Sequence, residues 1–273
     1  MTAKIHPSAI VSAKAQLGAN VEIGAFSIIG DEVKIGDGTV IKSHVVIAGD
    51  VSIGKNNKIF PFVTIGLAPQ DMKFRGEKSR VVIGDNNSIR EHVTIHLGTQ
   101  DGEMLTKIGS NCLLMVGAHI AHDCTVGNHV ILANNATLAG HVQLGDHVVI
   151  GGLSALHQFV RVGAGAMIGG MSGVEHDVIP NGLVMGERAS LAGLNLIGMK
   201  RRGVSREDIH ALRNFFKKAF TESKKDGEKS FSARVEEISK EFESQAVHEV
   251  VSFVKSESSR SFCQPKDKIS NPE

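Results

Sequence analysis

Between Ile5 and Ile179 aliphatic residues return at every sixth position in three runs. The first run is Ile5, Val11, Leu17, Ile23, Ile29, Ile35, Ile41, Ile47, Ile53, Ile59 and Ile65; Ile83, Ile89 and Ile95 follow a break, and a third run extends from Ile108 to Val174. Four residues after each aliphatic the chain prefers a small or β-branched residue, as at Val21, Ser27, Thr39, Cys112, Ala136 and Ser172. Helices repeat every 3.6 residues and ordinary strands every 2, so neither gives this period. A hexapeptide repeat of a parallel β-helix does. Three hexads close one triangular coil, so residues 18 apart in sequence stack on successive coils at roughly the 4.8 Å spacing of paired strands. The spacing leaves the hand of the coil open, although parallel crossovers are normally right-handed.

The β-helix is expected to occupy residues 1–182, ending at Pro180-Asn181-Gly182. Two excursions break the period, one over residues 67–80 and a shorter one over 96–106. The first is a candidate binding loop, since loops on a rigid scaffold often carry function; the second reads as a tolerated surface insertion. Residues 183–255 are expected to form a connecting segment and a helical domain. Ser205-Arg206-Glu207-Asp208 reads as a capped helix start, and Ile209, Leu212, Phe216, Ala219 and Phe220 keep helical spacing. Val235, Ile238, Phe242, Val247, Val250, Val251 and Val254 suggest further amphipathic helix. Residues 256–273, rich in Ser and Lys, are expected to form a disordered tail.

Composition narrows the class. A net charge of +1 over 273 residues argues against a general nucleic-acid surface or an anionic membrane as partner. An aromatic content of 4%, without Trp or Tyr, suits a narrow aliphatic prism. Cys112 and Cys124 fall at the small position of their hexads and Cys263 in the tail, which predicts core filling rather than a disulfide framework. The repeat begins at Ile5 and no apolar run reaches 18 residues, so a cytoplasmic protein without signal peptide or membrane span is expected.

Candidate chemistry lies among the 13 histidines. Counting in eighteens stacks His122, Gly140 and Gln158 in one column and Asp123 and His141 in the next, with His157 on the same edge and His119 near the adjacent corner. Such a column can hold an imidazole base, a carboxylate that orients it, and a bare backbone N–H for an oxyanion. No Ser or Cys is placed as a nucleophile. His6, His44, His129 and His147 read as solvated surface residues. His92, His96, His119 and His122 are candidate zinc ligands between subunits, but nothing in the spacing gathers three imidazoles, and no metal is expected. Arg201-Arg202 is a compact basic cluster suited to a diphosphate.

Four stretches carry a resemblance over nearly the whole chain: Ala118 to Cys124, Leu132 to Val142, His157-Gln158-Phe159, and Met199 to Gly203. With their spacing, the chain resembles the UDP-N-acetylglucosamine 3-O-acyltransferases of lipid A synthesis. The resemblance implies a left-handed β-helix, a homotrimer with inter-subunit sites, and transfer of an (R)-3-hydroxyacyl group from acyl carrier protein to UDP-N-acetylglucosamine, with no cofactor beyond the donor thioester. It implies His122 as general base, Asp123 as its support and Gly140 as oxyanion donor. Asp71, Lys73, His119, His141, His157, Gln158, Asn195, Arg201 and Arg202 match substrate-binding positions, while Gly170 and Met167 match positions that set acyl length. Ile197 departs from the family, whose better-known members carry an acidic residue there. Two rivals are an N-acyltransferase of the same pathway, which carries a further uridine-binding domain, and a non-catalytic trimeric scaffold.

Overall fold

The computed structural model describes residues 2–222 and 230–266. Strands mostly two residues long stack into three flat faces of 11, 9 and 8 strands, parallel throughout except for the last strand of the 11, closing a triangular coil. The pairings Ile5 with Ile23, Ile10 with Ile28 and Leu17 with Ile35 each join residues 18 apart. Every hexad aliphatic from Ile23 to Val174 lies inside, and so do the small residues that follow, including Val21, Ser27 and Thr39. Burying each such side chain contributes about 1.5–3 kcal/mol, so the prism needs no aromatic core.

The left-handed backbone position at the corners is mostly filled by residues other than glycine, such as Asn20, Asn56, Asn86, Asn111 and Asn135. The glycines after the aliphatics are needed for space instead. A Cβ on Gly36 would stand 2.6 Å from the backbone carbon of Gly54 on the next coil.

The first edge joins faces one and two, the second joins two and three, and the third returns to face one. Both excursions leave from the second edge. One connects Thr64–Leu67 to Arg80–Ile83, the other Thr94–His96 to Leu105–Ile108. On the first edge Phe26, His44, Phe62 and His92 form a ladder with ring centroids 5.0–5.2 Å apart. On the third edge His129 and His147 stack at 4.7 Å. His44, His129 and His147 are exposed, as expected of surface residues, and in addition stack in these ladders.

The coil runs past residue 182. Gly182–Met185 still pairs in parallel with Met167–Ile168, and Ser190–Leu194 returns antiparallel on it, because Val184 and Leu191 bury their side chains there. Helices follow: α1 (Leu196–Arg201), α2 (Arg206–Phe216) with a π-helical extension Lys217–Glu222, α3 (Phe231–Ser239) and α4 (Gln245–Lys255). Ser205 caps α2, its hydroxyl accepting from Asp208 N–H at 2.9 Å.

The stretch after Ser256 is also ordered up to Lys266, contrary to the expected tail. Phe262 bridges Asp177 in parallel, Cys263 is buried, and Ser258 Oγ donates to Asp177 Oδ2 at 2.6 Å. Ser256 and Ser258 bond to a buried Arg161–Asp177 pair, in which Nε donates at 2.8 Å. Residues 267–273 lie outside the described residues.

Candidate active site

The turn Ala121 to Cys124 is the corner of the second edge directly above the two excursions. His122 and Asp123 are both buried there. His122 Nδ1 lies 2.9 Å from Asp123 Oδ2. A carboxylate only accepts, so the contact assigns the proton to Nδ1 and leaves the Nε2 lone pair free. Nε2 faces Asp71 Oδ2 of the first excursion at 3.8 Å.

Gly140 sits on the next coil directly above. A Cβ there would lie 2.4 Å from His122 Cε1 and 2.5 Å from Nε2, so the imidazole occupies the space a side chain would take. Among the described residues Gly140 N–H has no hydrogen-bond acceptor. Asp123 and His141 both adopt left-handed backbone, and the His141 ring stacks on Phe159 at 4.3 Å and meets His122 edge-on at 5.0 Å. The two columns counted from the sequence thus stand side by side.

The second excursion is no passive insertion, because it builds the socket of Asp123. Thr99 Oγ1 donates to Oδ2 at 2.6 Å, and Thr99 N–H reaches both carboxylate oxygens at 3.0–3.1 Å. Asp123 N–H donates to Thr106 Oγ1 at 2.9 Å. Gly102 presses on the carboxyl group, where a Cβ would come within 2.3 Å of it. Burial pushes the Asp123 carboxyl up, but hydrogen bonds from His122 and Thr99 outweigh it and hold the group below the usual carboxylate range. The excursions also hold each other, through Lys73 to Asp101 at 2.9 Å and Gln100 N–H to Glu77 at 3.0 Å.

Around this centre burial disfavours the charged form of neighbouring imidazoles. Burial lowers His119, and it lowers His141 despite the nearby Asp123. His119 Nδ1 lies 2.6 Å from Thr94 Oγ1. His96, which the sequence offered only as a zinc candidate, lies beneath with its ring 5.0 Å from that of His119, and burial carries its pKa down to about 4. His122, Asp123 and His141 offer ligand atoms within 4.8 Å of one another, but the carboxylate is already engaged by Thr99 and His122. Cys124 is no nucleophile: Sγ points inward to Ala139 O at 3.2 Å and burial raises its thiol to about 12.

Higher on the same edge, His157 and Gln158 are exposed at the surface. The remaining candidates lie elsewhere on this chain. Met167 lies on face one and Gly170 on the first edge; a Cβ at Gly170 meets nothing nearer than Gly152 O at 3.3 Å. Asn195 is buried as the cap of α1, accepting from Gly198 N–H at 3.0 Å and donating to Gly165 O at 2.9 Å. Arg202, at the end of α1, donates to Asn181 Oδ1 and lines a pocket on the third edge with His147 and Glu249. Arg201 ends the same helix, and Ile197 stands exposed on it. The Arg pair and the His122 column therefore occupy different edges of one prism. The sequence missed Thr99 and Gly102, for which the hexad period gives no signal, and Thr106, which fills the regular inward position two residues before Ile108.

Two family models match: bacterial transferase hexapeptide repeats over residues 32–66 and 105–140, and UDP-N-acetylglucosamine O-acyltransferase domain 2 over residues 177–263. Acyl-[acyl-carrier-protein]–UDP-N-acetylglucosamine O-acyltransferases of Rickettsia canadensis and Rickettsia prowazekii are 48% and 47% identical, over 95% and 96% of this chain and 97% and 98% of theirs. The solved LpxA of Acinetobacter baumannii superposes with a TM-score of 0.90 at 40% identity, over 95% of this chain and 99% of that one. The UDP-N-acetylglucosamine acyltransferase of Campylobacter jejuni gives 0.88 at 41%, over 96% and 100%. The coil is the left-handed parallel β-helix of these structures. Identity at this level along nearly the full length of both partners makes the chain a member of the acyl-[acyl-carrier-protein]–UDP-N-acetylglucosamine O-acyltransferase family of enzymes.

Proposed function

We propose that this enzyme transfers an (R)-3-hydroxyacyl group from acyl carrier protein to the glucosamine 3-hydroxyl of UDP-N-acetylglucosamine, the first step of lipid A biosynthesis, in the cytoplasm and without a cofactor. The observation that carries the reading is the buried His122, its Nδ1 on Asp123 and its ring packed directly against Gly140, whose N–H has no acceptor among the described residues. Nε2 takes the proton from the sugar 3-hydroxyl as its oxygen attacks the thioester carbon. Gly140 N–H stabilises the tetrahedral oxyanion, and its collapse expels the carrier thiolate, which recovers the proton from His122. No acyl-enzyme forms, consistent with the inward, high-pKa Cys124. General-base assistance is worth roughly 10²–10⁴-fold and one oxyanion donor roughly 10²–10³-fold.

Substrate binding falls to Asp71, Lys73, His119, His141, His157, Gln158 and the Arg201-Arg202 pair, with Gly170 and Met167 bounding the acyl chain. Because these groups are distributed over different edges of the prism, one complete site needs a neighbouring copy, and we take the working form to be a homotrimer with sites between subunits. The test is product analysis with UDP-N-acetylglucosamine and a ladder of 3-hydroxyacyl carrier proteins. His122→Ala is expected to lose at least about 10²-fold in kcat while remaining folded and trimeric; near-full activity in such a protein would remove His122 as the base.

A further inference from the structure

The column His122, Gly140, Gln158 continues one coil further to His176, and a segment more than 80 residues later in sequence lies against its upper end. Ser261 Oγ is 2.9 Å from His176 Nδ1. Arg260 Nε donates to Gln158 O at 3.1 Å, and the other arm of its guanidinium lies 2.6 Å from His157 Nδ1. The segment is pinned on both sides of these contacts. Arg260 N–H donates to Ser258 Oγ, whose hydroxyl is given to buried Asp177, and Cys263 N–H donates to Asp177 O at 2.8 Å.

We propose that Arg260 is a positioning residue for substrate binding, holding His157 with its Nε2–H turned outward toward an acceptor oxygen of the bound substrate. A guanidinium has five donors and no acceptor, so the 2.6 Å contact requires a lone pair on His157 Nδ1. The ring proton is then on Nε2. His157 Nδ1 also stands 3.4 Å from Gln158 O, but that carbonyl already accepts from Arg260 Nε, and the shorter contact governs. Planar, two-armed donation to a ring nitrogen and a carbonyl one residue apart fixes orientation as well as protonation, which a lysine ammonium does not reproduce. The role rests on the function proposed above, because it assumes that His157 meets substrate. Among the described residues no hydrogen bond joins His122, Asp123 or Gly140 to the segment, so Arg260 acts on binding rather than on the proton transfer.

The test pairs ring-nitrogen NMR with kinetics on the full-length enzyme. In the wild type, His157 should show a pure Nε2–H tautomer, and in Arg260→Met a mixture of the two. Arg260→Met should raise KM about three- to tenfold, the worth of one hydrogen bond, with kcat held within about twofold. Arg260→Lys should recover only part of the loss. The double variant with His157→Ala should lose no more than His157→Ala alone. Ser261→Ala loosens the same segment through His176 and should leave the His157 tautomer pure. An unchanged tautomer in Arg260→Met, additive losses in the double variant, or a Ser261→Ala that reproduces the effect would each overturn the proposal. If the wild type fails to acylate the sugar at all, the proposed function falls, and the NMR arm still decides whether Arg260 sets His157.

Discussion

Replacing Gly140 by Ala is the sharpest probe of the column, because it adds one methyl group and removes no hydrogen-bonding group. The methyl would sit 2.4 Å from His122 Cε1, 2.5 Å from Nε2 and 3.1 Å from Nδ1. Carbon contacts settle near 3.5–4.0 Å, so the imidazole has to retreat by about 1 Å. It has little room, since Nδ1 is held on Asp123 and that carboxylate is clamped by Thr99 and Gly102. Overpacking of this kind costs about 1–3 kcal/mol of stability, and a displacement of about 1 Å in a catalytic group costs about 10²-fold in rate. Because the Gly140 N–H survives, a loss would report placement of the base and not loss of the oxyanion donor. The assay is kcat with 3-hydroxyacyl carrier protein and UDP-N-acetylglucosamine, with a thermal melt on the same sample. Gly30→Ala, at a corner of the same edge several coils below with its nearest contact at 3.3 Å, serves as the control that leaves kcat unchanged. A folded Gly140→Ala enzyme with kcat within about threefold of wild type would refute the stacking argument.

Thr99→Val removes a 2.6 Å hydrogen bond to the Asp123 carboxylate, worth about 1.5–3 kcal/mol. Since that bond helps hold the Asp123 pKa down, its stability is present above the unfolded carboxylate value and lost as pH falls through the folded one, so the variant, already less stable at neutral pH, should lose less further stability than wild type in urea melts as pH falls from about 6 to 3. His96 has a linkage of the same sign at higher pH: its folded pKa of about 4 lies below the unfolded value of 6.5, so between those values the unfolded chain binds more protons and stability falls as pH falls. Lowering the pH from about 7 to 5 should cost wild type about 2 kcal/mol through this group, and His96→Gln should abolish that component of the loss. Gly170→Met adds bulk at an open corner and should shorten the preferred acyl donor without lowering the melting temperature; an unchanged donor profile would remove Gly170 as a length determinant.

The coil was legible because each hexad repeats the same local requirement: an inward aliphatic, a small second inward residue, and a corner tight against the next coil. One register error would turn Ile95, Ile120 and Leu138 outward, so the aliphatic pattern over-determines the stack. The same ruler placed His122 under Gly140 and Asp123 under His141 without any structural input. It stopped working at Gly182–Met185, where pairing continues without the hexad spacing, and after Ser256, where polar composition concealed a segment held by the buried Asp177.

Where the period fails, the site acquires what the period cannot encode. A regular corner has too few residues to reach over its neighbour, and the corners below His122 are replaced by two excursions that do. Thr99 and Gly102 lie on the second, at distances from Asp123 set by loop geometry rather than by multiples of 18, so neither could be found by counting. Arg260 is further still, 103 residues from the His157 ring it contacts. The prism supplies rigid placement of the imidazole and the amide, and the irregular segments supply the hydrogen bonds that fix protonation: Thr99 through Asp123 onto His122 Nδ1, Arg260 directly onto His157 Nδ1. A β-helix of ideal hexads carrying the same histidine column would keep the spacing of these groups and lose control over which ring nitrogen bears the proton.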